Sequence, residues 1–378
     1  MKAIKIASGF AVTALAAAIA GQAAAADTET EFSYAGSMKV ASIFDFENET
    51  RVNAYDDAGI LDDDDFFGLD MVVTVTNGPF EGGLKVQNID GVGSVGVEDI
   101  TVTEGPISFG EVGSVVETTD LMETVTDDNH ADLEWGVDAA FRYTNEEAGI
   151  KVQAEGDGGP NAFGVGANYT GDFDTAKVYL DAQYSEDGTG EAHDEPVGGA
   201  LVGAGAEITP TDELKVTVAF QQGGFFSNAG AAEAFAQYGI KAEYTMDNMS
   251  AYALYGEPHA DTDDNEIIKV GGSFTSGAVT TEGSYTLTTA ESAGDELNAK
   301  VTYTQDAVSA YAEVTLSDMD ADDADPMLLE LGASYTTESG IKYGFDFENQ
   351  GDDAAAGVAA ATNTLELYAS YSFGDYEQ

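Results

Sequence analysis

The sequence predicts an all-β fold, a transmembrane antiparallel β-barrel of about 16–20 strands, with short turns at one end and long loops at the other. Three observations point there. From about Glu31 onward, runs of roughly ten residues place apolar side chains at every second position, a period that belongs to strands. The connections between these runs alternate between tight polar turns and long acidic loops. Aromatic residues recur at the same end of alternate strands, where a barrel meets a membrane interface.

Residues 1–26 come first and read as a secretory signal. Lys2 and Lys5 give a basic start, Ile6 to Ile19 form an almost wholly apolar core, and Ala24-Ala25-Ala26 offer a small-residue cleavage site before Asp27. That core is shorter than the ~20 residues a spanning helix needs. Residues 27–378 then form a single barrel domain. Ten strands are predicted near 31–44, 66–77, 80–89, 98–104, 107–116, 134–144, 148–155, 161–170, 173–184 and 198–208. Ten more follow near 213–222, 233–245, 248–256, 265–275, 278–289, 295–304, 307–316, 327–336, 339–348 and 363–373. The last shows the alternation best: Leu365, Leu367, Ala369, Tyr371 and Phe373 share one face, and Glu366, Tyr368, Ser370 and Ser372 share the other.

Tight turns are expected at Thr76-Asn77-Gly78-Pro79, Thr170-Gly171-Asp172, Met246-Asp247-Asn248, Thr275-Ser276-Gly277 and Glu338-Ser339-Gly340, all rich in residues that tolerate positive φ. The long connections are Asp45 to Asp65, Ser185 to Val197, Pro258 to Glu266, Ser317 to Pro326 and Asn349 to Thr362. Placing the short turns on the periplasmic side puts Tyr143, Tyr169, Tyr244, Phe274, Tyr303, Tyr335 and Phe373 at the lower ends of descending strands, as an interfacial girdle.

The charged residues show which face is wet. Trp135, Val137, Ala139, Phe141 and Tyr143 alternate with Asp138 and Arg142, and Ile150, Val152 and Ala154 alternate with Lys151, Gln153 and Glu155. Lys215, Lys241, Lys300 and Lys342 likewise lie opposite the apolar positions of their strands. Many apolar-face positions are Ala or Gly. A sandwich core of this size needs large side chains throughout, whereas hydrocarbon fills in around small ones.

Composition narrows the partners. After removal of the signal, 11 basic residues face 70 acidic ones, a net charge of −59. Nucleic acid is thereby excluded as a partner and cations are favoured. Cysteine is absent, so no disulfide or thiolate metal site braces the chain. Past the signal no apolar run reaches transmembrane-helix length, and a closed barrel is the other structure that satisfies its backbone in lipid.

The segment Glu98-Asp99-Ile100-Thr101-Val102-Thr103-Glu104, followed by Ile107-Ser108-Phe109-Gly110-Glu111-Val112, resembles the paired strands before the third extracellular loop of the Gram-negative general diffusion porins. The architectural resemblance extends over essentially all of residues 27–378. It implies that residues 117–133 form a loop folded into the lumen as a constriction, carrying Glu117, Asp120, Glu123, Asp127 and Asp128. It also implies a facing ladder of basic residues, for which Lys85, Arg142 and Lys151 are the matching candidates, and a transverse field between the two sets. A homotrimer in the outer membrane is implied in the same way, and the acidic loops are expected to meet lipid and lipopolysaccharide, bridged through divalent ions to its phosphates. The chain departs from the family in lacking its Pro-Glu-Phe-Gly-type turn and the arginine expected after Gly110. It also carries more strands, and five residues follow Phe373.

The expected function is therefore a water-filled channel for passive diffusion of small hydrophilic solutes and ions, with a preference for cations. No cofactor is expected. A solute-specific channel using Tyr179, Tyr311 and Tyr368 as an aromatic ladder is the first alternative. A structural or adhesive barrel is the second, in which Asp62 to Asp65, Asp261 to Asp264 and Asp318 to Asp325 offer hard oxygen ligands for loosely held Ca²⁺ or Mg²⁺. His130, His193 and His259 all fall in loops without a partnered nucleophile, so an enzyme is not expected.

Overall fold

The computed structural model describes residues 30–46, 50–53, 68–89, 92–127, 140–155, 163–188, 197–226, 232–257, 266–288, 295–317, 327–350 and 362–373. In chain order its strands are β1 (Thr30–Asp45), β2 (Thr50–Asn53), β3 (Gly68–Asn77), β4 (Phe80–Ile89), β5 (Val92–Glu104), β6 (Ile107–Gly110), β7 (Ala140–Asn145), β8 (Ile150–Glu155), β9 (Gly164–Phe173) and β10 (Ala176–Gly188). They continue with β11 (Val197–Thr211), β12 (Leu214–Phe226), β13 (Ala232–Met246), β14 (Met249–Glu257), β15 (Ile267–Ser276), β16 (Val279–Thr288), β17 (Glu296–Gln305), β18 (Val308–Leu316), β19 (Met327–Thr336), β20 (Lys342–Gln350) and β21 (Thr362–Phe373). Among the described residues one helix, α1 (Thr118–Thr126), follows β6.

All 21 strands among the described residues belong to one sheet. The first strand pairs antiparallel with the last, from Gly36 opposite Phe373 to Asp45 opposite Thr364. On the other edge of β1, β3 pairs with residues 30–39 and β2 with residues 42–45, so these two strands occupy one position between them. Twenty positions therefore account for 21 strands, and the fold is the antiparallel β-barrel that the alternation predicts. No described helix is long and apolar enough to cross a membrane.

The chain divides into two compact units. The first comprises residues up to 102, 301–314 and 326 onward, and carries the β1–β21 seam. The second comprises residues 103–300 and 315–325, and carries α1. In this second unit the faces separate sharply. On β10, Asp181 and Gln183 are buried while Leu180 and Tyr184 are exposed; on β12 and β13, Gln221 and Gln237 are fully buried while Phe220, Tyr238 and Ile240 are exposed. Polar side chains inside and large apolar ones outside reverse the arrangement of a water-soluble sheet. Five of the seven predicted girdle aromatics, Tyr143, Tyr244, Phe274, Tyr303 and Tyr335, stand exposed near strand ends.

Three local expectations are corrected. The hairpin expected at Thr170-Gly171-Asp172 turns instead at Asp174-Thr175, because β9 continues to Phe173 opposite Ala176. Gly171 is a strand residue: a Cβ there would lie 2.6 Å from the Tyr169 hydroxyl and 2.8 Å from the Phe173 ring, so its small size leaves room for the two flanking aromatics. The strand expected over 107–116 ends at Gly110, where φ is 113°, and the chain leaves the sheet to bury Val115 and Val116. The strand expected from 339 starts at Lys342, after a turn in which Gly340 has φ 86°. The signal, the aspartate runs, the three histidines, residues 128–133 and nearly all of the long loops lie outside the described residues.

Candidate functional site: an acidic helix seated on a polar sheet face

The sequence Thr118-Thr-Asp-Leu-Met-Glu-Thr-Val-Thr126 places Thr118, Leu121, Met122, Val125 and Thr126 on one side of a helix, and all five are buried. Asp120 and Glu123 lie on the opposite side and are exposed. The helix stops where Asp127 takes a left-handed conformation, φ 57° and ψ 52°, with its N–H donating to the Glu123 carbonyl. The loop expected over 117–133 thus contains a nine-residue helix. Its 3.6-residue period was legible, but the surrounding strands draw attention to period two.

The buried side of α1 rests on the polar face of β10 to β14. Leu121, Met122 and Val125 form a small apolar cluster with Tyr179 on β10 and Ala219 on β12. Glycines allow the close approach. A Cβ at Gly203 would collide with Thr118, one at Gly205 with Leu121, and one at Gly239 would lie 2.6 to 2.8 Å from Val125. Gly256 similarly lies under Thr126. These residues stand on β11, β13 and β14, so the seat crosses the strands rather than following one of them.

Polar contacts fix the approach to the helix. Arg142 on β7 donates to the carbonyls of Gly113 at 2.8 Å and Ser114 at 2.7 Å, and through Nε to Gln153 at 2.8 Å. Gln153 in turn donates to the Gly113 carbonyl at 3.1 Å. Lys151 on β8 forms an ion pair with Glu117, which also accepts from the Thr170 hydroxyl at 2.8 Å. Burial pushes the Glu117 carboxyl up, but Lys151 and Thr170 together outweigh it and hold the group below its ordinary range.

The helix N-terminus has no side-chain cap from its own N-cap residue, Glu117. The cap comes from the sheet: Asp181 Oδ2 accepts from the backbone N–H groups of Glu117 at 3.1 Å and Thr118 at 2.7 Å, while its Oδ1 accepts from Asn168 at 2.7 Å. Next to it, Gln221 Nε2 donates to the hydroxyls of Thr118 at 2.9 Å and Thr119 at 3.0 Å, and Gln237 donates to Gln221 Oε1 at 2.7 Å. At the other end Lys269 on β15 forms an ion pair with Asp127.

Of the seven site residues expected from the sequence, Glu117, Asp127, Arg142 and Lys151 hold the segment to the sheet, and Asp120 and Glu123 point away from it. Lys85 stands on β4 in the first unit. Arg142 and Lys151 bind the root of the segment directly, which differs from the basic row facing an acidic row across a gap that the resemblance implies. Asp181, Asn168, Gln221, Gln237 and Lys269 belong to the seat beyond the residues expected from the sequence. Their signal was parity: each lies on the polar face of its strand, and Gln221 and Gln237 are large amides at positions fully removed from solvent.

The three tyrosines of the proposed ladder do different things. Tyr179 is buried in the helix seat and donates to Glu207 at 2.9 Å. Tyr311 donates to Asp346 at 3.1 Å. The Tyr368 ring has the Lys39 and Lys342 ammonium groups 5.2 Å and 5.5 Å from its centroid.

No protein-family model and no curated protein sequence matches this chain. Solved structures do. A triple mutant of the porin of Rhodopseudomonas blastica aligns with TM-score 0.42 at 15% identity, over 91% of this chain and 100% of that one. A loop-L8 deletion mutant of OmpT, an outer membrane protein of Vibrio cholerae, aligns with TM-score 0.38 at 14% identity, over 91% of this chain and 99% of that one.

Proposed function

We propose that the protein is an outer-membrane channel for passive diffusion of small hydrophilic solutes and ions, with a preference for cations. The observation that carries this reading is the reversal of faces around the seated segment. Hydrogen-bonded amides and carboxylates line the side against which α1 packs, and Leu180, Val202, Phe220 and Ile240 stand exposed on the other. Such a sheet is at rest with hydrocarbon outside and water inside. The segment then projects Asp120 and Glu123 into the water-filled side, while Lys151 and Lys269 are paired with the acids at its two ends. Fixed carboxylates concentrate cations and deplete anions in the surrounding solution, which is the physical basis of the preference.

Planar-bilayer recording of the purified protein tests the proposal. Stepwise conductance that does not saturate with solute, and a reversal potential of cationic sign under a KCl gradient, are expected. Selectivity should weaken as total salt rises from about 0.1 M to about 1 M, where the screening length falls from about 10 Å to about 3 Å. A folded, inserted protein that passes no current would refute the channel reading.

A further inference from the structure

The helix carries its charges on one side and is seated by the other, so whatever fixes the seat also fixes where those charges stand. Leu121, Met122 and Val125 supply apolar burial, which is not directional. The glycines beneath these side chains set how closely the helix approaches the sheet. A directional group is needed to set the position, and Asp181 is a charged group of the sheet that bonds directly to the backbone opening the helix.

Three features combine in Asp181 and in no other charged residue described in the seat. It is 4% exposed, so its carboxylate is removed from water and depends on the groups that hydrogen-bond to it. Among its partners are the two backbone N–H groups that open the helix, where the helix dipole favours negative charge. It lies 63 residues from Thr118 in sequence, so it caps a helix to which it does not belong, and that helix has no side-chain cap of its own. Asn168 holds the other oxygen and fixes the carboxylate plane.

Building on the channel reading above, we infer that Asp181 is the positioning residue of the constriction segment: it sets the seat of α1 from the sheet, and thereby the ion selectivity, without itself meeting the permeating ion. Lys151 and Lys269 tether the two ends of the segment through long flexible side chains, whereas Asp181 reaches the helix backbone itself through a short side chain on β10, which fixes the segment in space.

The test uses the absence of cysteine from the sequence. Met122 is fully buried in the seat, so Met122→Cys in an otherwise native chain gives a thiol that a water-soluble maleimide reaches only when the helix lifts. Asp181→Ala in this background is expected to accelerate labelling about tenfold or more, the effect of losing buried hydrogen bonds to a charged group. Asp181→Asn keeps one acceptor oxygen and should fall between. In the cysteine-free chain, Asp181→Ala should move the reversal potential toward zero, although Asp120 and Glu123 are untouched. Labelling as slow as in the parent, with the barrel intact by its resistance to detergent unfolding, overturns the positioning role. Faster labelling with an unchanged reversal potential overturns the link to selectivity. If the native protein passes no current, the channel reading fails while the labelling comparison still decides what holds the helix.

Discussion

Lys269 on β15 and Asp127 at the left-handed end of α1 form an ion pair at the far end of the segment from the Lys151–Glu117 pair on β8. The two lysines stand on strands seven positions apart in chain order, so the segment is strung across the polar face and tied at both ends. The side chains are partly exposed, 16% for Lys269 and 37% for Asp127, and an accessible pair of this kind contributes ~1 kcal/mol or less. Lys269→Met is therefore expected to loosen the C-terminal turn of α1 without unfolding the barrel. Hydrogen exchange read separately over residues 118–126 should show protection falling about fivefold at Thr124 to Thr126 and little at Thr118. Equal loss along the whole helix would contradict independent anchoring of its ends.

The first tether responds to acid. The Glu117 carboxyl is held below its ordinary range by Lys151 and Thr170 against the opposing effect of burial. A group depressed in this way contributes its full stabilisation above the ordinary glutamate value of about 4.3, and loses it as pH falls through the lower folded value. Exchange protection at the start of α1 should then be flat from neutral pH down to about 5 once corrected for intrinsic exchange rates, and decline below about 4. Glu117→Gln should lower the neutral-pH protection and flatten the acid limb. An acid limb that persists unchanged in Glu117→Gln would assign the response to another carboxyl group.

Glycine at position 239 is required by contact with Val125. A Cβ there lies 2.8 Å from the Val125 carbonyl oxygen, and a backbone atom cannot swing aside as a side-chain tip can. Gly239→Ala should raise the free energy of the seated state by about 1–3 kcal/mol, the usual range for overpacking. Labelling of a cysteine at position 122 would accelerate accordingly. A labelling rate equal to the parent would mean that the helix shifts without cost.

Much of this arrangement is legible in the sequence. Period two fixed most strand positions to within a few residues, because a slip of one residue moves every side chain to the wrong face. Lys151 and Arg142 were identifiable as polar-face cations by the same parity. The helix was harder to see. Nine residues containing four threonines have weak intrinsic helix propensity, so α1 owes its form to tertiary burial of Leu121, Met122 and Val125 and to the cap from Asp181. Long-range pairs such as Asp181 with Thr118, or Lys269 with Asp127, leave no local trace, since their partners lie 63 and 142 residues away. Gly171 misled for a related reason: glycine marks turns and close approaches alike, and only the rings of Tyr169 and Phe173 tell which applies here.

Asp120 and Glu123 are the exposed charges of the helix and lie on its unseated side. Asp120→Asn combined with Glu123→Gln should shift the reversal potential toward zero, most strongly at low ionic strength where screening is least. Stability and exchange protection of α1 should stay near parental values, because neither side chain is buried in the seat. A potential unchanged at about 0.1 M salt would place the selectivity elsewhere along the polar face.

Leu180 gives a direct test of which medium the outer face meets. It is 48% exposed on β10, one residue from buried Asp181. On a surface bathed in water, Leu180→Arg would be close to neutral, and solubility would improve. On a surface bathed in hydrocarbon the same change costs about 2–4 kcal/mol near the bilayer midplane, falling to ~1 or less toward the interfaces. Reversible urea unfolding from lipid vesicles measures the difference. A loss of stability in vesicles is expected for Leu180→Arg, with a smaller loss for an arginine placed at Tyr244, near a strand end. Indifference to arginine at position 180 in vesicles would show that this face does not meet acyl chains, and the membrane orientation of the sheet would have to be abandoned.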